Sequence, residues 1–225
     1  MPKTRTYKLL CPIARGLDRI GDRWTLLILR DLHAGPARFS DLQRGLTGIA
    51  ANLLTDRLTK LVTDGLIAKE SGPHGAALYE LTELGSKTRD ILFDLAMFGG
   101  QFPPEGDIVN PGNLRTIAVT LGAACQRVAT DELDFEASFI VDSEPFALSV
   151  NHSKASMLYQ PAANPDLVLE TTYSALLSVA EGEIGLNEFS RNHCQIDVKK
   201  PGKDAEFIKL FSAAIELFLS QGTSG

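Results

Sequence analysis

Cysteine is scarce, with three in 225 residues at positions 11, 125 and 194. Three thiols cannot build a disulfide framework, and their scatter fits no zinc spacing. A reducing, cytoplasmic setting is therefore expected. Long apolar runs are absent too. No stretch approaches the ~18 residues of a membrane helix. Met1 to Cys11 carries basic residues but no apolar segment of signal-peptide length. No internal repeat or low-complexity tract is visible. With 44% hydrophobic and 22% charged residues, the composition excludes a disordered or fibrous chain. His193-Cys194 has no metal-ligand spacing, and neither it nor His152 sits in a nucleophile signature. No enzyme, metal site or cofactor is expected.

At ~100–200 residues per domain, this length allows one large domain or two ordinary ones, and either can bury a core without staples. The net charge of -6 hides a division. Residues 1–69 hold 12 Lys+Arg against 6 Asp+Glu, residues 70–110 hold 2 against 7, and residues 111–225 hold 8 against 15. A basic first third suits an anionic partner, and the acidic remainder does not. Between Gly99 and Gly112 stand four glycines and three prolines in fourteen residues. That composition punctuates rather than forms an element. The domains expected are 1–100, a linker at 101–112, and 113–225.

Before the linker the periodicity is helical. Ile13, Leu17 and Ile20 mark a helix that Pro12 opens. Trp24, Leu27, Ile28 and Leu32 mark a second, stopped by Gly35-Pro36. Ser40-Asp41-Leu42-Gln43 reads as a capping box opening a third, which ends at Gly45. A fourth runs from Ala50 to Asp64, with Leu54, Leu58, Leu61 and Val62 on one face. Leu66–Glu70 and Leu78–Thr82 read as a hairpin around Ser71–Gly75. One helix is expected from Glu83 to Phe98, lined by Leu84, Ile91, Leu95 and Phe98. Leu92, Phe93, Ala96 and Met97 widen its apolar arc. An arc that wide is buried on more than one side, and a partner subunit is the simplest cover.

Two short helices, a tight turn and a hairpin describe a winged helix-turn-helix, whose second helix enters the major groove and whose wing reaches the adjacent backbone. With Leu54, Leu58 and Leu61 inward, the ~100° step per residue turns Asn52, Thr55, Asp56 and Thr59 outward. Asn and Thr suit base edges. Arg57 and Lys60 flank that face, within reach of phosphate or guanine. Arg38 and Ser40 begin the preceding helix, a natural phosphate site. Lys69 and His74 fall on the wing. Asp56 costs affinity for DNA unless it orients Arg57 or pairs with a cytosine amine.

Several motifs then stand in order: Cys11-Pro12-Ile13, the run from Gly21-Asp22-Arg23-Trp24 to Arg30-Asp31-Leu32, Arg38-Phe39-Ser40-Asp41-Leu42, Leu54-Thr55-Asp56-Arg57-Leu58, Asp64-Gly65-Leu66-Ile67, and Tyr79-Glu80-Leu81-Thr82-Glu83-Leu84-Gly85. Over roughly residues 8–100 the chain closely resembles the HxlR family of bacterial regulators, relatives of the MarR type. The resemblance implies a homodimeric winged-helix transcription factor paired through its terminal helices and bound to operator DNA. Some regulators of this kind sense oxidants or electrophiles with a cysteine where Cys11 stands. Cys11 directly precedes Pro12, with Lys8 and Arg15 nearby. A helix start flanked by cations is a setting in which thiols become reactive. A small residue that packs and caps the first helix fits the same position.

Beyond the linker, residues 113–130 read as a helix. Phe135–Val141, Phe146–Val150, Met157–Tyr159 and Leu167–Thr171 alternate as strands. Tyr173–Ala180 reads as a helix, Cys194–Lys199 as a strand, and Phe207–Leu219 as a strongly apolar last helix. A meander sheet with helices on one side makes an α+β domain. Pro165–Leu169, the Leu176-Leu177 helix with its Gly182-Glu183-Ile184 turn, the last strand and the final helix are similar to a sterol-carrier-protein-type domain over roughly residues 112–221. That similarity implies an apolar tunnel for a lipid-like effector, with Phe139, Phe146, Leu148, Met157, Phe211 and Phe218 as candidate lining. Ordinary core positions would carry the same residues. Arg191-Asn192-His193 depart from the small residues and Gly-Lys usual before that family's last strand.

The whole chain is thus expected to be α+β, a winged helix followed by a sterol-carrier-like module, acting on DNA as a cytoplasmic homodimer with no membrane partner. A lipid carrier whose helix-turn-helix only dimerises, and a thiol sensor working through Cys11, are the rival readings.

Overall fold

The computed structural model describes residues 6–72, 75–102 and 113–222. The chain divides into two compact units, Met1–Thr88 and Arg89–Gly225. The junction expected at 101–112 lies mostly outside the described residues.

The first unit contains α1 (Pro12–Ile20), α2 (Thr25–His33), β1 (Ala37–Arg38), α3 (Phe39–Gly45), α4 (Ala51–Thr63), β2 (Ile67–Ser71), β3 (Ala77–Leu81) and α5 (Glu83–Ser86). Ile28, Leu29, Leu32, Leu42, Leu54, Leu58 and Leu61 form its buried centre. The α4 leucines recur at helical spacing, so one face is buried and the opposite face is left to solvent. Gly65 ends α4 at φ +69°, while Leu66 N–H donates to the Leu61 carbonyl at 3.0 Å. This 6→1 bond is the Schellman closure that a glycine in the left-handed region permits. β2 and β3 form the expected antiparallel hairpin, and β1 joins through Ala37–Tyr79 and Arg38–Leu78, giving the order β1-β3-β2.

Three local expectations are corrected here. Helix α3 begins one residue before Ser40, and Asp41 Oδ2 accepts from the Arg38 N–H at 3.1 Å, so Asp41 and not Gln43 reaches back. The helix expected over 83–98 is broken at Lys87 into α5 and α6 (Thr88–Gly99). Thr82 caps α5 by accepting from Gly85 N–H at 3.0 Å. A Cβ on Gly85 would lie 1.9 Å from the Leu66 carbonyl oxygen, so only glycine lets this turn approach β2. Finally, α1 forms with Pro12 in its first turn, but Ile13 and Leu17 face outward, 74% and 46% exposed.

The second unit holds α6, α7 (Thr116–Val128), β4 (Asp134–Val141), β5 (Glu144–Asn151), β6 (Lys154–Leu158), β7 (Leu167–Thr171), α8 (Tyr173–Ala180), α9 (Leu186–Glu188), a π-helical turn (Phe189–His193), β8 (Cys194–Val198) and α10 (Lys203–Gly222). The sheet order is β6-β5-β4-β7-β8. The chain crosses over after β6, and β7 pairs parallel with β4, from Ala137–Leu167 to Val141–Thr171. The sheet is therefore mixed, not a meander. Only β4 to β6 follow the simple up-and-down course. The crossover is pinned by Asp166. Its N–H donates to the Glu136 carbonyl at 2.7 Å, its carboxylate accepts from Glu136 N–H at 3.0 Å, and Lys200 Nζ lies 2.5 Å from Oδ1.

Phe135, Ala137, Phe139 and Val141 share the buried face of β4 with Phe146, Leu148 and Val150 of β5. Phe207 and Phe211 of α10 meet them. Phe207 stacks on Phe211 at 5.6 Å, Phe189 stacks on Phe211 at 5.6 Å, and Phe139 lies 6.2 Å from both Phe207 and Phe211. Helix α6 belongs to this unit through Phe93. That ring is fully buried, 5.8 Å from Phe218 and under the Arg127 guanidinium at 4.2 Å. Arg127 also bonds Asp94 at 2.9 Å and Asp90 at 3.2 Å. Ile91, Leu95 and Phe98 on the same helix stay exposed. Among the described residues no helix is long and apolar enough to cross a membrane.

Candidate nucleic-acid interface

Burial of Leu54, Leu58 and Leu61 leaves Asn52, Thr55, Asp56 and Thr59 exposed, as the periodicity predicts. Thr63 extends this stripe by one turn. The threonine hydroxyls are already engaged. Thr55 donates to the Ala51 carbonyl at 2.9 Å, Thr59 to Thr55 at 2.8 Å, and Thr63 to Thr59 at 2.9 Å. Each oxygen is therefore left with acceptor capacity alone.

The two cations expected beside this stripe bind the protein itself. Arg57 Nε donates to Asp22 Oδ1 at 2.7 Å, and Nη2 lies 2.7 Å from Asp22 Oδ2. Lys60 Nζ reaches Asp64 Oδ2 at 2.6 Å and the carbonyl of Asp18 at 3.1 Å. Arg19 Nη1 meets Asp64 Oδ1 at 2.7 Å. This network ties the flank of α4 to the end of α1 and the turn before α2, along a groove lined also by Thr6, Tyr7 and Leu17. Sequence reasoning missed Asp22 as the partner of Arg57. The Lys60–Asp64 spacing of four was the one part of the network a helix pattern could have revealed.

Arg38 and Ser40 are exposed where β1 passes into α3, and Lys69 is exposed on β2 opposite Tyr79. His74 lies outside the described residues. Cys11 is the exposed residue immediately before α1. Cys125 is buried in α7, and burial pushes its thiol up to about 12. Cys194 is partly buried, which raises its thiol above the ordinary range. In the second unit Phe139, Phe146, Leu148, Met157 and Phe211 are buried, while Phe218 is half-buried against Phe93.

The HxlR-like helix-turn-helix family matches residues 19–107. Over 95 residues the chain is 30% identical to the HTH-type transcriptional regulator sll1512 of Synechocystis sp., covering 41% of this chain and 70% of the relative. The HTH-type transcriptional regulator YkvN of Bacillus subtilis is 30% identical over 115 residues, 48% of this chain and 98% of the relative. The chain belongs to the HxlR-like helix-turn-helix family. A solved structure of the reduced form of YodB from B. subtilis is 26% identical, covers 44% of this chain and 100% of its own, and has a TM-score of 0.38. The matched relatives of this HxlR-type chain are transcriptional regulators, not enzymes. The family match ends at residue 107, within the N-terminal half.

Proposed function

We propose that this HxlR-family protein is a homodimeric regulator that binds operator DNA with α4 in the major groove. The exposed polar stripe Asn52, Thr55, Asp56 and Thr59, opposite the buried leucines of the same helix, carries the reading. Arg38 and Ser40 lie at the start of the helix before it, and Lys69 on the wing, where phosphates of the adjacent backbone would pass. Arg57 and Lys60 act as positioning residues that hold α4 against the turn before α2 and the end of α1. The exposed Ile13 and Leu17 of α1, and Ile91, Leu95 and Phe98 of α6, supply apolar surface of the kind a second copy would cover.

The second unit serves as the effector module. A five-stranded sheet covered by α10 supports the sterol-carrier-type reading, with an apolar compound as effector. Mass analysis of compounds extracted from the purified protein tests that part.

The DNA-binding function is tested by selecting duplexes from a fragment library with the full chain and measuring their affinity at several salt concentrations. Sequence-selective binding is expected, falling with salt by a log–log slope of about -0.9 per phosphate contact. Equal affinity for selected and scrambled duplexes would exclude operator recognition.

A further inference from the structure

The groove-facing surface of α4 has a definite chemical sign. Asp56 is exposed on the Lys60 side of the stripe, where it also lines the groove beside Arg57, and makes no hydrogen bond or ion pair among the described residues. The neighbouring cations that would neutralise it are turned away, Arg57 to Asp22 and Lys60 to Asp64. Thr55 and Thr59 have directed their hydroxyl protons to the helix backbone, so their oxygens are left only as acceptors. Asn52 is the only amide on the stripe and has no partner among the described residues. The stripe is therefore rich in acceptors and holds no unengaged guanidinium.

The major groove offers a carboxylate one kind of partner, an amino group. Guanine offers two acceptors, N7 and O6, and is read by arginine or lysine. Cytosine N4 and adenine N6 are the amino donors. A carboxylate placed over guanine would meet lone pairs, and placed over the backbone it would meet phosphate. Over an amino group it finds a proton.

We infer that α4 reads the amino-bearing edge of the groove, cytosine N4 or adenine N6, and that Asp56 is its specificity-determining residue. The inference rests on the placement of α4 in the groove proposed above. Arg57, the side chain that would otherwise read guanine, is withheld by Asp22. Thr55 and Thr59 methyls suit thymine C5-methyl groups beside the amino-bearing base.

The test pairs one residue with one functional group. Duplexes are selected from a randomised double-stranded library with the full chain and with Asp56→Ala. In the best wild-type site each cytosine is then replaced by 2-pyrimidinone, which lacks N4, and each adenine by purine, which lacks N6. At one half-site position the wild type should lose roughly 5- to 100-fold in affinity on removal of the amine. Asp56→Ala should lose little there and keep full sensitivity elsewhere. Guanine at the Asp56-dependent position would overturn the inference. So would an Asp56→Ala protein that binds every duplex more tightly by one common factor, since Asp56 would then act only by repelling phosphate. A wild-type chain that retains no duplex would overturn the placement of α4 together with this inference, and is distinguished by failing before any base is changed.

Discussion

Arg57 and Asp22 meet in a parallel pair of hydrogen bonds, Nε to Oδ1 and Nη2 to Oδ2, both at 2.7 Å across 35 residues of sequence. A fork-to-fork pair fixes orientation as well as distance. It ties the middle of α4 to the turn before α2. Both side chains are about one-third exposed, so solvent screening limits what the pair adds to stability.

Arg57→Ala should destabilise the fold by no more than ~1 kcal/mol. It should weaken binding to all duplexes by a similar factor, without changing which bases are preferred. Asp22→Ala should do the same, and the double variant should be little worse than either single one, because both remove one interaction. Denaturation and duplex titration of the four proteins measure this. A change of base preference in Arg57→Ala alone would instead place its guanidinium on DNA.

Much of this arrangement could be read from the sequence. The α4 leucines and the stripe opposite them follow from one period, and β7 and α8 form over the very residues expected. What escaped is non-local. Asp22 lies 35 residues from Arg57, and no pattern along α4 names it. The parallel β4–β7 pairing depends on a crossover held by Asp166, while alternation in β7 specifies faces but not neighbours. β1 has two residues, too few to show a period. Ile13 and Leu17 announced an amphipathic α1 correctly, but periodicity cannot say whether such a face meets the core or the outside.

The three thiols should alkylate at well-separated rates. Cys11 is exposed, Cys194 is partly buried with its thiol raised, and Cys125 is buried with its thiol near 12. The thiolate is the nucleophile, so the expected order is Cys11, then Cys194, then Cys125. Time-resolved labelling with peptide mass analysis gives the rates. If Cys11 senses oxidants, Cys11→Ser should bind operator normally and lose its response to peroxide. Labelling of Cys194 as fast as Cys11 would remove the physical basis for a sensor at the start of α1.

Asp166 should govern the acid side of stability in the second unit. The Lys200 ammonium, and after it the Glu136 N–H, hold its carboxyl below the ordinary aspartate range. A carboxyl lower in the folded than in the unfolded chain stabilises the fold above its unfolded value of ~3.9. That contribution fades as pH falls through the lower folded value. Asp166→Asn should cost about 1.5–3 kcal/mol at neutral pH, the usual range for hydrogen bonds to charged groups. Its stability should also fall less steeply than wild type below about pH 4. Thermal melts from pH 3 to 7 would show both. Parallel curves would mean that the β7 crossover is held by backbone contacts alone.

Helix α6 should be the element most sensitive to loss of the rest of the second unit. Its Phe93 ring is covered by Phe218 and Arg127, and Arg127 also binds Asp90 and Asp94 on the same helix. A chain truncated after Gly100 keeps the whole helix-turn-helix but strips Phe93 of this cover. Exposing a buried phenylalanine costs about 1.5–3 kcal/mol, a large part of what holds one helix in place. Amide exchange in α6 should accelerate in the truncated chain, while α2 and α4, packed on their own leucines, should remain protected. Arg127→Ala should show a milder form of the same pattern, since it removes two carboxylate contacts and the cation above the ring but leaves Phe218 in place. If α6 also carries the subunit interface, both proteins should dimerise more weakly than wild type in sedimentation equilibrium. Unchanged exchange in α6 after truncation would show that this helix does not depend on Phe218 and Arg127 for its stability.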